Sequence, residues 1–403
     1  MIRRDFIRQA GALTGGLLLQ SQMLAAFTEI APSDSVFNVG VIGCGDRGKG
    51  IMHTLKELDG KFRVTAICDP LDFRLKEAEA EAAPFKPAAY KDYRKVLDDK
   101  SVSAVVIAVP LNLHYQIAAD ALRAGKHVYL EKTMTYNTAQ AIELVAVSKK
   151  YPKLTLQVGH QYRYTPLYFR VKQIIDDGYL GKVTQIDCRW DRNWNWKRAV
   201  PDPSLERKVN WRMYKEYSGG LPAELLSHQI DFINWAFNTQ PDEVLGAGGV
   251  DFYKDGREVF DNVQAVLRYS REGMIGNFGA TCANAHDGYM FRLKGSKGMI
   301  SLLMNEGFYY PEKETRKELD LVDGVTGATK IQMSKDGGIP LLKEPLKDGT
   351  WYALNDFYKS IREGGLPASN VFTGAKTAIC VDMANQAMYQ NSIQTWKPSY
   401  NLS

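Results

Sequence analysis

Cysteine is scarce in this sequence. The five cysteines, Cys44, Cys68, Cys188, Cys282 and Cys380, are odd in number and widely separated, which argues against a disulfide framework. Lys and Arg total 51 against 46 Asp and Glu, for a net charge of only +5. No polybasic run stands out, so nucleic acid is not an expected partner. The six histidines, His53, His114, His127, His160, His228 and His286, lack paired spacing with carboxylates or cysteines, and no metal is predicted. The N-terminal apolar stretch, Ala10 to Leu19, is too short to span a bilayer comfortably, so no stable membrane anchor is expected. Internal repeats and low-complexity linkers are also lacking.

What remains is the make-up of a globular protein, with 45% hydrophobic and 24% charged residues. A chain of 403 residues is too long for one ordinary core, and two domains are expected. The opening residues Arg3-Arg4-Asp5-Phe6 precede the weakly hydrophobic stretch and Ser21 to Ala26. Adjacent arginines, a nearby Phe and a short apolar region resemble a twin-arginine signal over residues 1–30. The expectation is export in folded form by the twin-arginine machinery to the periplasm. An amphipathic N-terminal extension is the blander alternative, since no clean cleavage site is seen.

From Val36, the apolar segment Phe37 to Ile42 runs into Gly43-Cys44-Gly45-Asp46-Arg47-Gly48 and then a helical pattern. A G-x-G-x-x-G motif between a strand and a helix indicates a dinucleotide site. The first glycine makes the tight turn, the second admits the pyrophosphate, and the third lets helix and strand pack. A second strand, Phe62 to Cys68, ends at Asp69, somewhat beyond the usual spacing of about 20 residues. A carboxylate there would accept hydrogen bonds from the adenosine ribose and repel a 2′-phosphate, which favours NAD over NADP. Arg74 nearby leaves a phosphate partner possible, and a turn-forming Asp before Pro70 is the plain alternative.

Strands ending at Val109 and Leu130 follow, with helices between, and Leu154 to Val158 gives another. Strands alternating with helices imply a parallel, doubly wound sheet over 36–158, with its ligand beyond the strand C-termini, near Gly43, Asp69, Pro110 and Lys132. The pattern then changes. Val183 to Trp190, Glu243 to Phe252, Asp261 to Ser270, Met274 to Cys282, Tyr289 to Gly295 and Gly298 to Leu303 read as successive strands of a large, mostly antiparallel sheet. Closing helices are predicted over Tyr352 to Glu363 and Ala375 to Asn391. The fold class is α/β, an N-terminal Rossmann domain followed by an α+β substrate-binding and oligomerisation domain over 159–403.

Several marks together closely resemble the Gfo/Idh/MocA oxidoreductases, the family of glucose-fructose oxidoreductase and inositol dehydrogenase. They are the glycine motif, Ala108-Val109-Pro110 with His114, Gly125-Lys126-His127-Val128 leading to Glu131-Lys132, the Gln157 to Arg163 segment, Gly219-Gly220 before Glu224 and His228-Gln229-Ile230-Asp231, and Asp356-Phe357. The family's usual Glu-Lys-Pro is here Glu131-Lys132-Thr133, and the Asp-x-x-x-His of the inositol dehydrogenase branch is Glu224-Leu225-Leu226-Ser227-His228. A carboxylate one helical turn before the His would share its face. Homo-oligomerisation through the open sheet is implied by the resemblance.

Oxidising a secondary alcohol requires a hydride acceptor, a base, and a positive group beside the oxygen. NAD supplies the first, His228 is the expected base, and Lys132 is expected to polarise the oxygen. Glu224 would orient or charge-tune His228, and Glu131 would hold the nicotinamide ribose or the lysine, as the resemblance implies. The candidate cofactor contacts are Gly43, Gly45, Asp46, Arg47, Gly48, Asp69, Pro110, Asn112, His114, Glu131 and Lys132. Between Trp190 and Tyr217, aromatic residues mix with Arg189, Arg192, Asn193, Asn195, Lys197 and Arg198. Apolar faces beside polar donors suit a sugar, and an aromatic core or subunit contact is the rival. Trp194, Trp196, Trp211 and Tyr217 are the candidates from this segment, and the resemblance adds His160, Tyr162 and Arg163.

The first reading is an exported NAD(P)-dependent oxidoreductase acting on a sugar, glycoside or cyclitol hydroxyl. Free NAD is scarce outside the cytoplasm, so the cofactor is expected to be tightly held and recycled in place. Two alternatives stay open: an NAD-dependent glycosidase that oxidises transiently with no net redox change, and a sugar-binding protein with an inherited Rossmann fold.

Overall fold

The computed structural model describes residues 36–402 apart from 59, 287 and 316–336. The twin-arginine segment over 1–30 lies outside the described residues. The first strands are β1 (Phe37–Ile42), β2 (Phe62–Cys68), β3 (Ala88–Tyr90), β4 (Ala104–Ile107), β5 (His127–Leu130) and β6 (Leu156–Val158). They form a parallel sheet in the order β3-β2-β1-β4-β5-β6. This is the doubly wound order, in which the chain reverses direction between β1 and β4 and opens a crevice beyond their C-terminal ends. Strand β4, Ala104-Val105-Val106-Ile107, is buried at every position, as a strand covered by helices on both faces must be.

The second sheet comprises β7 (Val183–Trp190), β8 (Glu243–Gly249), β9 (Asn262–Tyr269), β10 (Met274–Thr281), β11 (Tyr289–Gly295), β12 (Gly298–Leu302), β13 (Gly307–Pro311), β14 (Ile339–Pro340) and β15 (Gln394–Thr395). Their order is β14-β13-β12-β11-β7-β10-β9-β8-β15. All neighbours are antiparallel except β7 and β10, which run parallel. Period-two burial along β9 and β11 shows one face turned to the core and one left open.

Strands β3, β13, β14 and β15 were not predicted, and two further features depart from the expected layout. The helix Gly349–Glu363, expected in the second domain, packs on the first. Its Ala353, Leu354, Phe357 and Tyr358 share a core with Val39, Phe62 and Tyr129, and Gln157 donates to the Ala353 carbonyl at 2.7 Å. The segment before His228 is a π-helical turn, Pro222–Leu226, that passes into the α-helix Ser227–Ala236, rather than the regular turn assumed from sequence spacing. Among the described residues, no helix is long and apolar enough to cross a membrane.

Candidate active site

The glycine motif makes the turn between β1 and the helix Asp46–Glu57. Gly43 has φ +94°, and a Cβ there would lie 2.4 Å from the Ala108 carbonyl oxygen; a Cβ on Gly48 would lie 1.9 Å from that of Gly43. Both positions therefore require glycine. Beside Gly45 a Cβ would meet only the Arg74 side chain, at 3.5 Å, so the backbone there lies open to a ligand on one side. No side chain caps the helix start, which leaves its first N–H groups for an anion. These residues fit a dinucleotide pyrophosphate. Asp46 is exposed and ion-pairs with Arg198 at 2.8 Å, so its carboxylate points to the aromatic segment between Trp190 and Tyr217.

Asp69 closes β2, as predicted, and is 3% exposed. Its two oxygens accept from the backbone N–H of Cys44 at 2.9 Å and of Leu71 at 3.0 Å, so the carboxylate pins the glycine loop to the end of β2. Arg47 and Glu131, both predicted cofactor contacts, pair with each other: Nε and Nη2 of Arg47 each lie 2.8 Å from Glu131 Oε1. Nη1 of Arg47 donates to Thr350 Oγ1 at 3.1 Å.

Pro110 begins the turn after β4, and the Asn112 N–H donates to the Tyr217 carbonyl at 3.3 Å. His114 is buried, its Nδ1 2.9 Å from the Thr133 carbonyl oxygen and its Nε2 3.0 Å from that of Val109. Both ring nitrogens face main-chain carbonyls, and the neutral ring donates to one of them. His114 thus lies between the Pro110 turn and the Lys132 turn.

Lys132 follows β5 at the C-terminal edge of the sheet, and the Lys132–Thr133 peptide is cis. Its Nζ donates to the Glu224 carbonyl oxygen at 2.8 Å and lies 3.5 Å from that of Ala223, while Thr133 Oγ1 donates to Ala223 at 3.0 Å. The first domain's lysine is therefore held by the second domain's π-turn. Burial pulls the Lys132 pKa below the ordinary lysine range, opposed by the charges of Glu224 and Glu131.

His228 lies in the first turn of the helix Ser227–Ala236 and is buried among aromatic rings, 4.7 Å from Tyr162 and 5.4 Å from Trp190 between centroids. Its Nδ1 has no hydrogen-bond partner among the described residues. Burial, reinforced by the positive charge of Lys132, holds its pKa well below 6.5. The imidazole is neutral at physiological pH, the state a general base requires.

Lys132 and His228 share the wall of a cavity of about 240 Å³ with Gln161, Tyr162, Trp190, Arg192, Trp194, Trp196, Arg198, Arg212, Glu224 and Leu225. The sequence predicted Tyr162, Trp194 and Trp196 there, and the structure brings them together. Gln161, Arg212 and Leu225 were not singled out, while Trp190, Arg192 and Arg198 were seen only as members of the aromatic, basic segment. The alternation of Trp with Arg was the signal that could have promoted them.

Other assignments need correcting. Glu224 does not orient His228: its Oε2 accepts from Arg212 Nε at 2.9 Å, because the π-turn changes the expected i, i+4 geometry. Burial alone would raise the Glu224 pKa, but Arg212 and Lys132 outweigh it and keep the carboxylate ionised. Arg163 is buried against Asp231, with Nε to Oδ2 at 3.0 Å and Nη1 to Thr373 Oγ1 at 3.3 Å, and does not reach the cavity. His160 lies behind His228, its Nδ1 3.3 Å from Asp231 Oδ1; burial, opposed by Asp231, lowers its pKa to about 4. Trp211 packs on Leu111, Ala223 and Val381 with Tyr217 against the same cluster. Neither lines the cavity.

Residues 37–160 match the model of the oxidoreductase family with an NAD-binding Rossmann fold, and residues 168–301 match the GFO/IDH/MocA C-terminal domain. The chain belongs to the Gfo/Idh/MocA oxidoreductase family. Its first domain is the NAD-binding one, with NAD the cofactor and hydroxyl oxidation the chemistry of its named relatives.

Levoglucosan dehydrogenase of Pseudarthrobacter phenanthrenivorans is 27% identical over 390 residues, covering 86% of this chain and 94% of that protein. Inositol 2-dehydrogenase/D-chiro-inositol 3-dehydrogenase of Lactiplantibacillus plantarum is 29% identical over 204 residues, 50% of this chain and 53% of that protein. The chain thus spans about half the length of this second relative. Among solved structures, levoglucosan dehydrogenase in complex with NADH and levoglucosan superposes with a TM-score of 0.71 at 22% identity, covering 90% of this chain and 99% of that one. Aldose-aldose oxidoreductase from Caulobacter crescentus gives 0.70 at 19% identity, covering 90% and 100%. These two share the fold.

Proposed function

We propose that this protein oxidises a ring hydroxyl of a sugar, glycoside or cyclitol, or reduces the corresponding ketone. The observation that carries this reading is that a neutral buried imidazole, His228, and an ammonium, Lys132, line one cavity with Tyr162, Trp190, Trp194 and Trp196. Bound NAD supplies the hydride acceptor at this site. His228 takes the hydroxyl proton, and Lys132 donates to the oxygen as it becomes a carbonyl. The aromatic rings cover the apolar face of the sugar. Asp69 serves the adenosine ribose with its remaining lone pairs, and the Arg47–Glu131 pair sets the wall beneath the nicotinamide ribose. The names of the relatives, dehydrogenases of levoglucosan and inositols, support this substrate class.

The adjacent Arg3 and Arg4 and the short apolar stretch after them support export by the twin-arginine route to the periplasm, with the cofactor acquired before transport and held tightly. The open face of the second sheet supports a homo-oligomer. The test is to purify the protein without added nucleotide, identify any cofactor released on denaturation, and follow the reduced-nicotinamide absorbance with sugars, glycosides and cyclitols. Sugar-dependent reduction supports the proposal. Hydrolysed product with no net reduction would point to the transient-oxidation glycosidase. Failure to bind any dinucleotide would overturn both.

A further inference from the structure

The cavity wall carries more positive charge than the chemistry above uses. Lys132, Arg192, Arg198 and Arg212 face one carboxylate, Glu224, among its described lining residues. Arg212 is engaged by Glu224, and Arg198 by the exposed Asp46. Arg192 differs: among the described residues it makes no side-chain ion pair or hydrogen bond. Its guanidinium lies 5.3 Å from the Trp190 ring centroid and 5.4 Å from that of Trp196.

That geometry has a chemical consequence. Stacking against two indoles restrains the guanidinium, while its N–H donors stay free along the edge. A flat, fixed fork of donors suits a carboxylate or phosphate, which it can bind with two parallel bonds. A neutral sugar would leave this partly buried charge without a counterion, which is unfavourable. The cavity, at about 240 Å³, lies just under the usual size range of small-molecule pockets, so ring and charged group must fit together as a single sugar unit.

Resting on the oxidoreductase reading for the location of the substrate, we infer that the preferred substrate is a sugar unit bearing an anionic substituent, a carboxylate or a phosphate, held by Arg192 and flanked by Arg198 and Arg212. The hydroxyl to be oxidised then faces Lys132 and His228, with the charged group at the arginine side of the ring.

The test is calorimetric binding to the full-length NADH-loaded protein at low and high salt. The probes are methyl glucuronide against methyl glucoside, methyl galacturonide against methyl galactoside, and glucose 6-phosphate as the phosphate arm. At least one anionic probe should bind about 10- to 100-fold more tightly than its neutral counterpart, the range for a hydrogen bond to a charged group. Added salt should shrink the preference in the unmodified protein, which needs no variant to fold. R192M, which keeps bulk against the indoles, should bring charged and neutral probes within about threefold, and R192K should retain part of the preference. A uronide preference identifies carboxylate, and a glucose 6-phosphate preference identifies phosphate. Equal or tighter binding of the neutral sugars, no binding of any probe, or a preference that survives R192M overturns the inference. Because binding is read without turnover, failure of the oxidoreductase reading would show separately, as absence of sugar-dependent nicotinamide reduction.

Discussion

The Lys132 ammonium donates to the main-chain carbonyl of Glu224 at 2.8 Å, so the group proposed to polarise the substrate oxygen is carried by the Rossmann sheet and aimed by the second domain. The carbonyl keeps its position whatever side chain stands at 224, and the Glu224 carboxylate acts on Lys132 only through charge.

Removing Lys132 should therefore reduce turnover more than binding. K132M is expected to lower kcat by about 10²- to 10³-fold, the range for loss of one preorganised donor to a developing charge. NADH affinity, measured by fluorescence titration, should change far less. A comparable loss of NADH binding would contradict the assignment.

The pH profile should carry both groups. His228 is held neutral well below pH 6.5, so the acid limb of kcat/KM should fall below that value. The Lys132 pKa is depressed, so the alkaline limb should fall below 10.5. H228Q is expected to remove about 10²- to 10⁴-fold of the rate and the acid limb with it.

Glu224 raises the Lys132 pKa. E224Q should therefore move the alkaline limb to lower pH and leave the acid limb in place. A shift of the acid limb instead would restore Glu224 as the partner of His228.

Stability should follow the buried imidazoles. His114, His127, His160 and His228 all have folded-state pKa values below 6.5. As pH falls through about 6.5, the unfolded chain takes up protons that the folded protein refuses, so each group reduces stability in the same direction. Urea midpoints should be steady above pH 7 and decline below pH 6.5. Midpoints that rise on acidification would contradict this accounting.

Much of the first domain was legible because its signals are local. The glycine spacing, the apolar strands and the residues closing them place Gly43, Asp69, Pro110 and Lys132 at one edge, where the structure has them. The second domain yielded six of its nine strands, β13, β14 and β15 being short segments toward the sheet's edges that were not predicted, and not its order, since the parallel β7–β10 pairing joins segments far apart in sequence. Assignments made from spacing failed where a partner distant in sequence intervened. Arg163 is claimed by Asp231, Glu224 by Arg212, and the helix Gly349–Glu363 by the Rossmann core. Spacing alone reveals none of these contacts, and the π-turn at Pro222–Leu226 left no periodicity to read.

Arg163 supplies a further check on that correction. R163M removes one partner of a buried ion pair and should cost about 3–5 kcal/mol of stability, measured by denaturant unfolding, while the ranking of substrates by the folded fraction stays the same. A changed ranking with unchanged stability would return Arg163 to the cavity.

The most direct test of the central claim is a single-turnover experiment: full-length protein, NAD and a panel of sugars, glycosides and cyclitols, with reduced-nicotinamide absorbance followed for the wild type, K132M and H228Q. The account predicts rapid, substrate-dependent reduction in the wild type and loss of that phase in both variants while dinucleotide binding persists. Reduction at wild-type rates in both variants, or no substrate-dependent reduction in a protein that binds NAD, would contradict it.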